Sequence, residues 1–241
     1  SFFIILIGSA FLMAFIYRKL NAKAMVGLIC VLCLVDMWQI DKRYLNDGMF
    51  VEKSVRENPI QMTATDKQIL QDKTECGNYR VLNFASNTFS ENETSYFHKS
   101  LGGYHPAKLR RYQEMIERYI QPQMQKAMTA IVEAGGDMTK VNGDSIYPVI
   151  SMLNAKYFVM PLNGGQTVPI MNPYAYGVAW FVDKVSFVDN ANQEMDLMAK
   201  IDLRHEAVAD KKFARQIGNA TKQDGNSLVT ITSYQPNELT Y

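Results

Sequence analysis

The densest grouping of side chains able to do chemistry lies in Tyr96–Arg118, where Gly102-Gly103 precedes Tyr104, His105, Lys108, Arg110 and Arg111. A pair of glycines permits close backbone approach. A phenol, an imidazole, an ammonium and guanidinium forks just ahead of a helix suit a phosphate or a sugar, because Arg meets phosphate oxygens in a bidentate geometry. Tyr104, His105, Lys108 and Arg111 are therefore the candidate substrate contacts. The plainer reading is a loop followed by a hydrated helix face with its tyrosines turned inward, the usual fate of a charged helix surface.

Other constellations are weaker. Cys30 and Cys33 form C-x-x-C inside an apolar run, without a thioredoxin-like context, and read as small packing residues. Cys76 stands alone in a polar segment, which leaves no disulfide to be formed within the polar domain. The three histidines are scattered, and His205-Glu206 does not continue to H-E-x-x-H because position 209 is Ala. The glycine-rich phosphate loops and G-x-S-x-G are absent from the sequence. No catalytic residue, metal ligand or cofactor is assigned. Asn92-Glu93-Thr94 and Asn219-Ala220-Thr221 match the glycosylation acceptor pattern, a triplet that arises readily by chance.

The elements that must hold such side chains read as mixed α and β. Tyr79–Phe84, Lys156–Met160, Val178–Val182, Val185–Val188 and Leu228–Ser233 are short β-branched or aromatic runs bounded by turn residues, as strands are. Between them, Asp66 is placed to cap a helix over Lys67–Asp72. Ala107–Ala134 is the longest helical pattern, with Leu109, Tyr112, Met115, Ile116, Tyr119 and Ile120 at three- and four-residue spacing. Pro122 should kink or divide it, and Gly135-Gly136 ends it. Ser145–Asn154, with Pro148 in its first turn, and Asn192–Ile201 are shorter helices. Asn163-Gly164-Gly165 and Asn172-Pro173 mark a loop or long hairpin.

Ahead of this domain stand two apolar segments. Phe2–Tyr17 contains no charge; Arg18–Lys23 is basic; Ala24–Ile40 is apolar again. A membrane-crossing helix needs roughly 20 apolar residues, with about 17 as the lower limit. The pattern predicts a transmembrane hairpin over residues 1–40, with helices at about 2–17 and 24–40 and a basic loop at 18–23. A signal peptide would carry its positive charges before the apolar stretch. The positive-inside rule puts the basic loop in the cytoplasm and residues 41–241 outside it, with Trp38 and Tyr44 at an interfacial aromatic belt and Asp36 near headgroup depth. The start without Met and the closing Leu239-Thr240-Tyr241, which opens a strand and stops, lead us to expect an internal piece of a longer protein.

Composition narrows the classes. The 241 residues carry 25 basic and 24 acidic side chains for a formal net charge of +1, which argues against a nucleic-acid binder. The mean hydropathy of −0.16 suggests an ordinary soluble protein only because it averages two different solvents.

Taken in order, LVDMWQIDKRYLN after an apolar span, SLGGYHPAKLRRYQEMIERYI, PVISMLNAKYFVMP, AWFVDKV and SYQPNELTY resemble the bacterial YfhO-like membrane protein family over essentially the whole chain. None of these stretches is a chemical motif; the specificity lies in the ordered set. The family is similar to type-C glycosyltransferases. The resemblance implies a polytopic protein of the bacterial cytoplasmic membrane. It would move a sugar from a polyprenyl-phosphate carrier to an envelope glycan or lipid acceptor on the outer side. The catalytic carboxylate of such enzymes lies in a first outer loop to which nothing here corresponds, so no catalytic residue carries over. The expected architecture is thus an extracytoplasmic mixed α/β domain preceded by a two-helix transmembrane hairpin, with the lipid bilayer as one partner. The rival readings are a membrane-anchored extracytoplasmic binding or scaffolding module without activity, and a soluble enzyme that buries both apolar runs.

Overall fold

The computed structural model describes residues 2–218 and 227–241, so the Asn219-Ala220-Thr221 triplet lies outside the described residues. Two compact units divide after Pro59, later than the boundary expected at residue 40.

In the first unit, helix α1 spans Phe2–Ile16 and helix α2 spans Ala22–Tyr44. The Asn21 side chain caps α2 by accepting from the Ala24 amide at 2.8 Å. The helix runs four residues past Ile40, taking in Lys42 and Arg43 in its last turn, where cations favour the C-terminal end of the helix dipole. Its 23 residues span about 35 Å at 1.5 Å per residue. Among the described residues one helix is thus long and apolar enough to cross a membrane; α1, at 15 residues, is shorter than that. Neither helix buries a single residue within the chain. Leu32 packs against Gly8, while Phe3, Leu34 and Trp38 lie exposed. A short helix α3, Lys53–Glu57, completes the unit.

The second unit is mixed helix and strand. It begins with helix α4 at Ala64–Leu70. Thr63, not Asp66, is its N-cap: Thr63 Oγ1 accepts from the Asp66 amide and Asp66 Oδ2 accepts from the Thr63 amide at 2.8 Å. Threonine followed three residues later by an acid makes a reciprocal capping box, so Asp66 belongs to the first turn instead of preceding it.

Strand β1, Arg80–Asn83, is followed by helix α5, Glu93–Phe97, and helix α6, Arg110–Met115. A π-helical turn over Ile116–Ile120 then leads into α7, Gln121–Glu133. Proline at 122 has no N–H, and its ring crowds the carbonyl four residues back; the wider π turn relieves that clash without breaking the helix. Helices α8, Gly143–Ile146, and α9, Pro148–Met152, divide at Tyr147 what reads as one helix in sequence.

Strand β2, Ala155–Pro161, pairs parallel with β1 and antiparallel with β3, Thr167–Met171. The Asn163–Gly165 turn is the tip of that long hairpin. Pro169 is tolerated because β3 is an edge strand. Both faces of the sheet are covered. Leu82 and Phe158, register partners, face a core built from Ile116, Ile120, Ile131, Tyr147 and Ile150. Val81 and Val159 face Ile69 of α4 and Tyr79. Two covered faces explain why Lys156–Met160 reads as nearly continuous apolar sequence instead of alternating.

Strand β4, Lys184–Val188, pairs parallel with β5, Glu206–Asp210, through the crossover helix α10, Ala191–Met198. The short helix α11, Ala214–Ile217, follows. A hairpin of β6, Ser233–Gln235, and β7, Glu238–Thr240, ends the described chain. Two strand expectations need correction. Val178–Val182 forms no strand: Trp180 turns inward, edge-on to Tyr176 at 5.1 Å, and donates its indole N–H to the Leu203 carbonyl at 3.2 Å. Its apolar character serves packing in place of a ladder. Leu228–Ser233 is extended only from Ser233, with the Thr232 amide donating to the Thr240 carbonyl just before it.

Candidate functional site

The structure places the four candidate contacts on the surface around the start of α6. Tyr104 is exposed, and its amide is held by the Asn92 side chain at 3.1 Å and the Glu91 carbonyl at 3.0 Å. His105 Nδ1 accepts from the Ala107 amide at 3.1 Å, a local turn bond. The Lys108 ammonium lies 5.6 Å from the centre of the Phe89 ring. Arg111 reaches Glu194 of α10 at 3.9 Å, with Arg118 and Asp196 forming a second pair at 3.1 Å about two turns on. None of the four lines the clefts described below.

What fixes this stretch is Gly102. A Cβ there would lie 1.9 Å from the Thr88 carbonyl oxygen, so only glycine admits this approach. The Tyr112 hydroxyl donates to the Leu101 carbonyl at 2.5 Å, so one of the tyrosines is indeed turned inward.

A cleft of about 500 Å³ opens instead between the end of α4 and the end of α5 with the segment that follows it. Leu70, Asp72, Tyr79, Tyr96, His98 and Lys99 contribute to its wall, with Lys73, Cys76 and Ser95. Asp72 and Tyr79 of this wall belong to a polar network that joins two segments distant in sequence. The Asp72 carboxylate accepts from the Thr74 amide at 2.9 Å, the Thr74 hydroxyl at 2.6 Å and the Tyr157 hydroxyl at 2.8 Å, and pairs with Lys156 at 2.7 Å. The Lys156 ammonium also donates to the Thr74 hydroxyl and lies 5.1 Å from the Tyr79 ring centre. Tyr79 donates its own hydroxyl to the Ile69 and Asp72 carbonyls at 2.8 and 3.0 Å.

The electrostatics follow from these contacts. Burial alone would raise the Asp72 pKa, but the hydrogen bonds from Lys156, Thr74 and Tyr157 outweigh it and hold the carboxyl well below the usual carboxylate range. The Tyr157 phenol is pushed up to about 12 by burial first, then by its bond to Asp72 and that residue's charge. His98 Nε2 meets Asp66 Oδ1 at 2.9 Å, and its side chain is only 2% exposed.

The same wall contains unusual backbone. Glu75 and Cys76 have φ of 52° and 53°, and Gly77 follows at 67°, a short run of left-handed residues. Such conformations cost about 1–3 kcal/mol for a non-glycine residue and persist only when surroundings enforce them. Here Asn154, itself at φ 56°, donates through Nδ2 to Glu75 Oε2 at 2.9 Å and to the Asn78 carbonyl at 3.2 Å.

Glu75 also lines a neighbouring cleft of about 480 Å³ with Tyr176, Trp180 and Phe181. A smaller one of about 190 Å³ lies beside Asp66 and Asn83. Among the described residues no group of three or more His, Cys, Asp or Glu is placed to hold a metal ion.

Sequence reasoning missed Asp72, Lys73, Tyr79, His98, Lys99 and Lys156. One signal was available: Lys156 and Tyr157 open an otherwise apolar strand, and a buried cation requires a partner. No family model, curated protein or solved structure matches the chain.

Proposed function

We propose that this chain is part of a YfhO-like, type-C glycosyltransferase-like membrane protein. In this reading α1 and α2 form a two-helix transmembrane hairpin and the second unit lies on the extracytoplasmic side. The parent protein transfers sugar from a polyprenyl-phosphate carrier to an envelope acceptor. This piece positions the acceptor instead of supplying the catalytic carboxylate, which would deprotonate the acceptor hydroxyl. The observation that carries the reading is α2: 23 residues, none of them buried, with Val26, Leu28, Val31, Leu34 and Val35 exposed and, of its apolar side chains, only the stripe of Met25, Ile29 and Leu32 half-buried. A helix apolar on every side needs either a protein core or a membrane around it, and among the described residues no part of α2 is buried. The ordered stretches Leu34–Asn46, Ser100–Ile120 and Pro148–Pro161 supply the family assignment.

The native cysteines test the topology. Cys76 is exposed in the second unit, and Cys30 and Cys33 lie in α2. A membrane-impermeant maleimide applied to intact cells should label Cys76 and spare Cys30 and Cys33. Labelling of Cys76 only after lysis would place the domain on the opposite side and overturn the reading. Transfer is tested in the full-length protein: loss of polyprenyl-phosphate-dependent glycosylation on gene deletion is the expected result. Unchanged envelope glycosylation would favour the anchored, non-enzymatic module. Alanine at Lys108 and Arg111 that left transfer unchanged would remove those two from substrate contact.

A further inference from the structure

We propose that the 500 Å³ cleft between α4 and the end of α5 binds an acidic saccharide unit, a uronate or a phosphosugar. The preference for an anion stands on geometry alone; the choice of a saccharide rests on the transferase reading above.

The charge balance points to an anion. Asp72 is the sole acidic residue of the wall among the described residues, and Lys156 already neutralises it at 2.7 Å. Lys73 and Lys99 also line the cleft, and neither forms an ion pair among the described residues. Lys99 is held in place: its ammonium donates to Asn78 Oδ1 at 2.5 Å and sits 3.5 Å from the centre of the Tyr234 ring. Lys73 is exposed and makes no hydrogen bond among the described residues, which leaves its three donors for a ligand. Two cations without a compensating carboxylate raise the local concentration of anions and supply charge-assisted hydrogen bonds.

The remaining wall suits a hydroxylated ring. Tyr96 is 57% exposed at the lip and packs edge-on to Phe97 at 5.0 Å, which steadies the ring while leaving a face open. Tyrosine offers large, rigid contact area with a polar tip. Ser95 adds a hydroxyl beside it. The volume falls in the range of roughly 300–1,000 Å³ typical of small-ligand sites. The left-handed turn at Glu75–Gly77, tied to Asn154, fixes Cys76 and Gly77 in the wall before any ligand arrives. Such pre-organisation reduces the ordering cost of binding.

The test is isothermal titration of the whole 241-residue chain in lipid nanodiscs with methyl glucuronoside, glucose 1-phosphate, methyl glucoside, inorganic phosphate and adenosine monophosphate. Either acidic sugar should bind at least about tenfold tighter than methyl glucoside, and added salt should weaken it. Which of the two binds tighter separates a uronate-bearing glycan from a phosphosugar as the source. Lys73→Ala should remove most of that preference, and Tyr96→Ala should weaken both acidic sugars without changing the binding of inorganic phosphate. Three results would overturn the proposal: equal binding of charged and uncharged sugars, inorganic phosphate or adenosine monophosphate binding as tightly as glucose 1-phosphate, or no binding by chain that retains its native circular dichroism. Because the assay requires no transfer, its failure leaves the transferase reading standing. Lost transfer activity in the parent protein would equally leave a positive titration intact.

Discussion

Two polar regions of the second unit use similar side chains to different ends. Around Tyr104–Arg111, aromatic, imidazole and cationic groups follow one another closely in sequence, yet they disperse over the surface. Lys108 turns toward Phe89, His105 closes a local turn and Arg111 pairs with α10. Around Asp72, groups more than eighty residues apart converge: Lys156 and Tyr157 meet Asp72 and Thr74 beside a cleft. Neighbouring residues on a helix or loop diverge because the backbone fans its side chains outward. Convergence requires strands and loops from several segments to meet. The β1–β2 pairing supplies this by bringing residue 156 beside the segment that follows α4.

This contrast can be broken by substitution. The largest effect is expected for Asp72→Ala, which leaves Lys156 and Tyr157 without their common acceptor. Removing one partner of a largely buried pair costs roughly 3 kcal/mol, to be read as a lowered denaturation midpoint with Asp72→Asn as the milder control. Gly102→Ala should cost about 2 kcal/mol, because a Cβ only 1.9 Å from the Thr88 carbonyl forces the backbone to move. A loss close to zero there would mean that the loop before α6 is not pinned.

The network also predicts a pH dependence. Asp72 titrates below its ordinary value of 3.8 in the folded chain, so its contribution is full above that value and is lost as pH falls toward the depressed one. Denaturation midpoints measured between pH 7 and about 2.5 should fall more steeply for the native sequence than for Asp72→Asn. Parallel curves would show that Asp72 is not held ionised. Smaller effects belong to the other region. Arg111→Ala should cost less than about 1 kcal/mol, as exposed ion pairs do. Alanine at Tyr104, His105 and Lys108 should each leave stability within about 0.5 kcal/mol. A loss above 2 kcal/mol at any of those three would erase the distinction between the regions.

Local patterning made much of the fold legible. The strands at Arg80–Asn83, Ala155–Pro161 and Lys184–Val188 fall within or upon the runs expected at Tyr79–Phe84, Lys156–Met160 and Val185–Val188, and the long helical pattern keeps its proline at the start of α7. Two of the differences have a tertiary cause. Val178–Val182 has a strand's composition, but Trp180 finds its hydrogen bond at Leu203, a partner from a separate segment. Glu206–Asp210 holds only small apolar residues, Ala207, Val208 and Ala209, between two acids, and is a strand because it pairs in parallel with β4. The Thr63 cap is by contrast a purely local signal, a threonine three residues before an acid.

By itself the sequence determined the division between an apolar N-terminal stretch and a polar mixed domain, because length, charge and periodicity are properties of contiguous residues. It also placed Gly102-Gly103 and Pro122 at the points where backbone chemistry matters. Only the tertiary structure decided which polar groups meet. The Asp72–Lys156–Tyr157 network and the cleft beside it exist because a parallel strand pair and a left-handed turn bring distant segments together. Burial then makes each unpaired donor or charge costly enough that these partners must find one another.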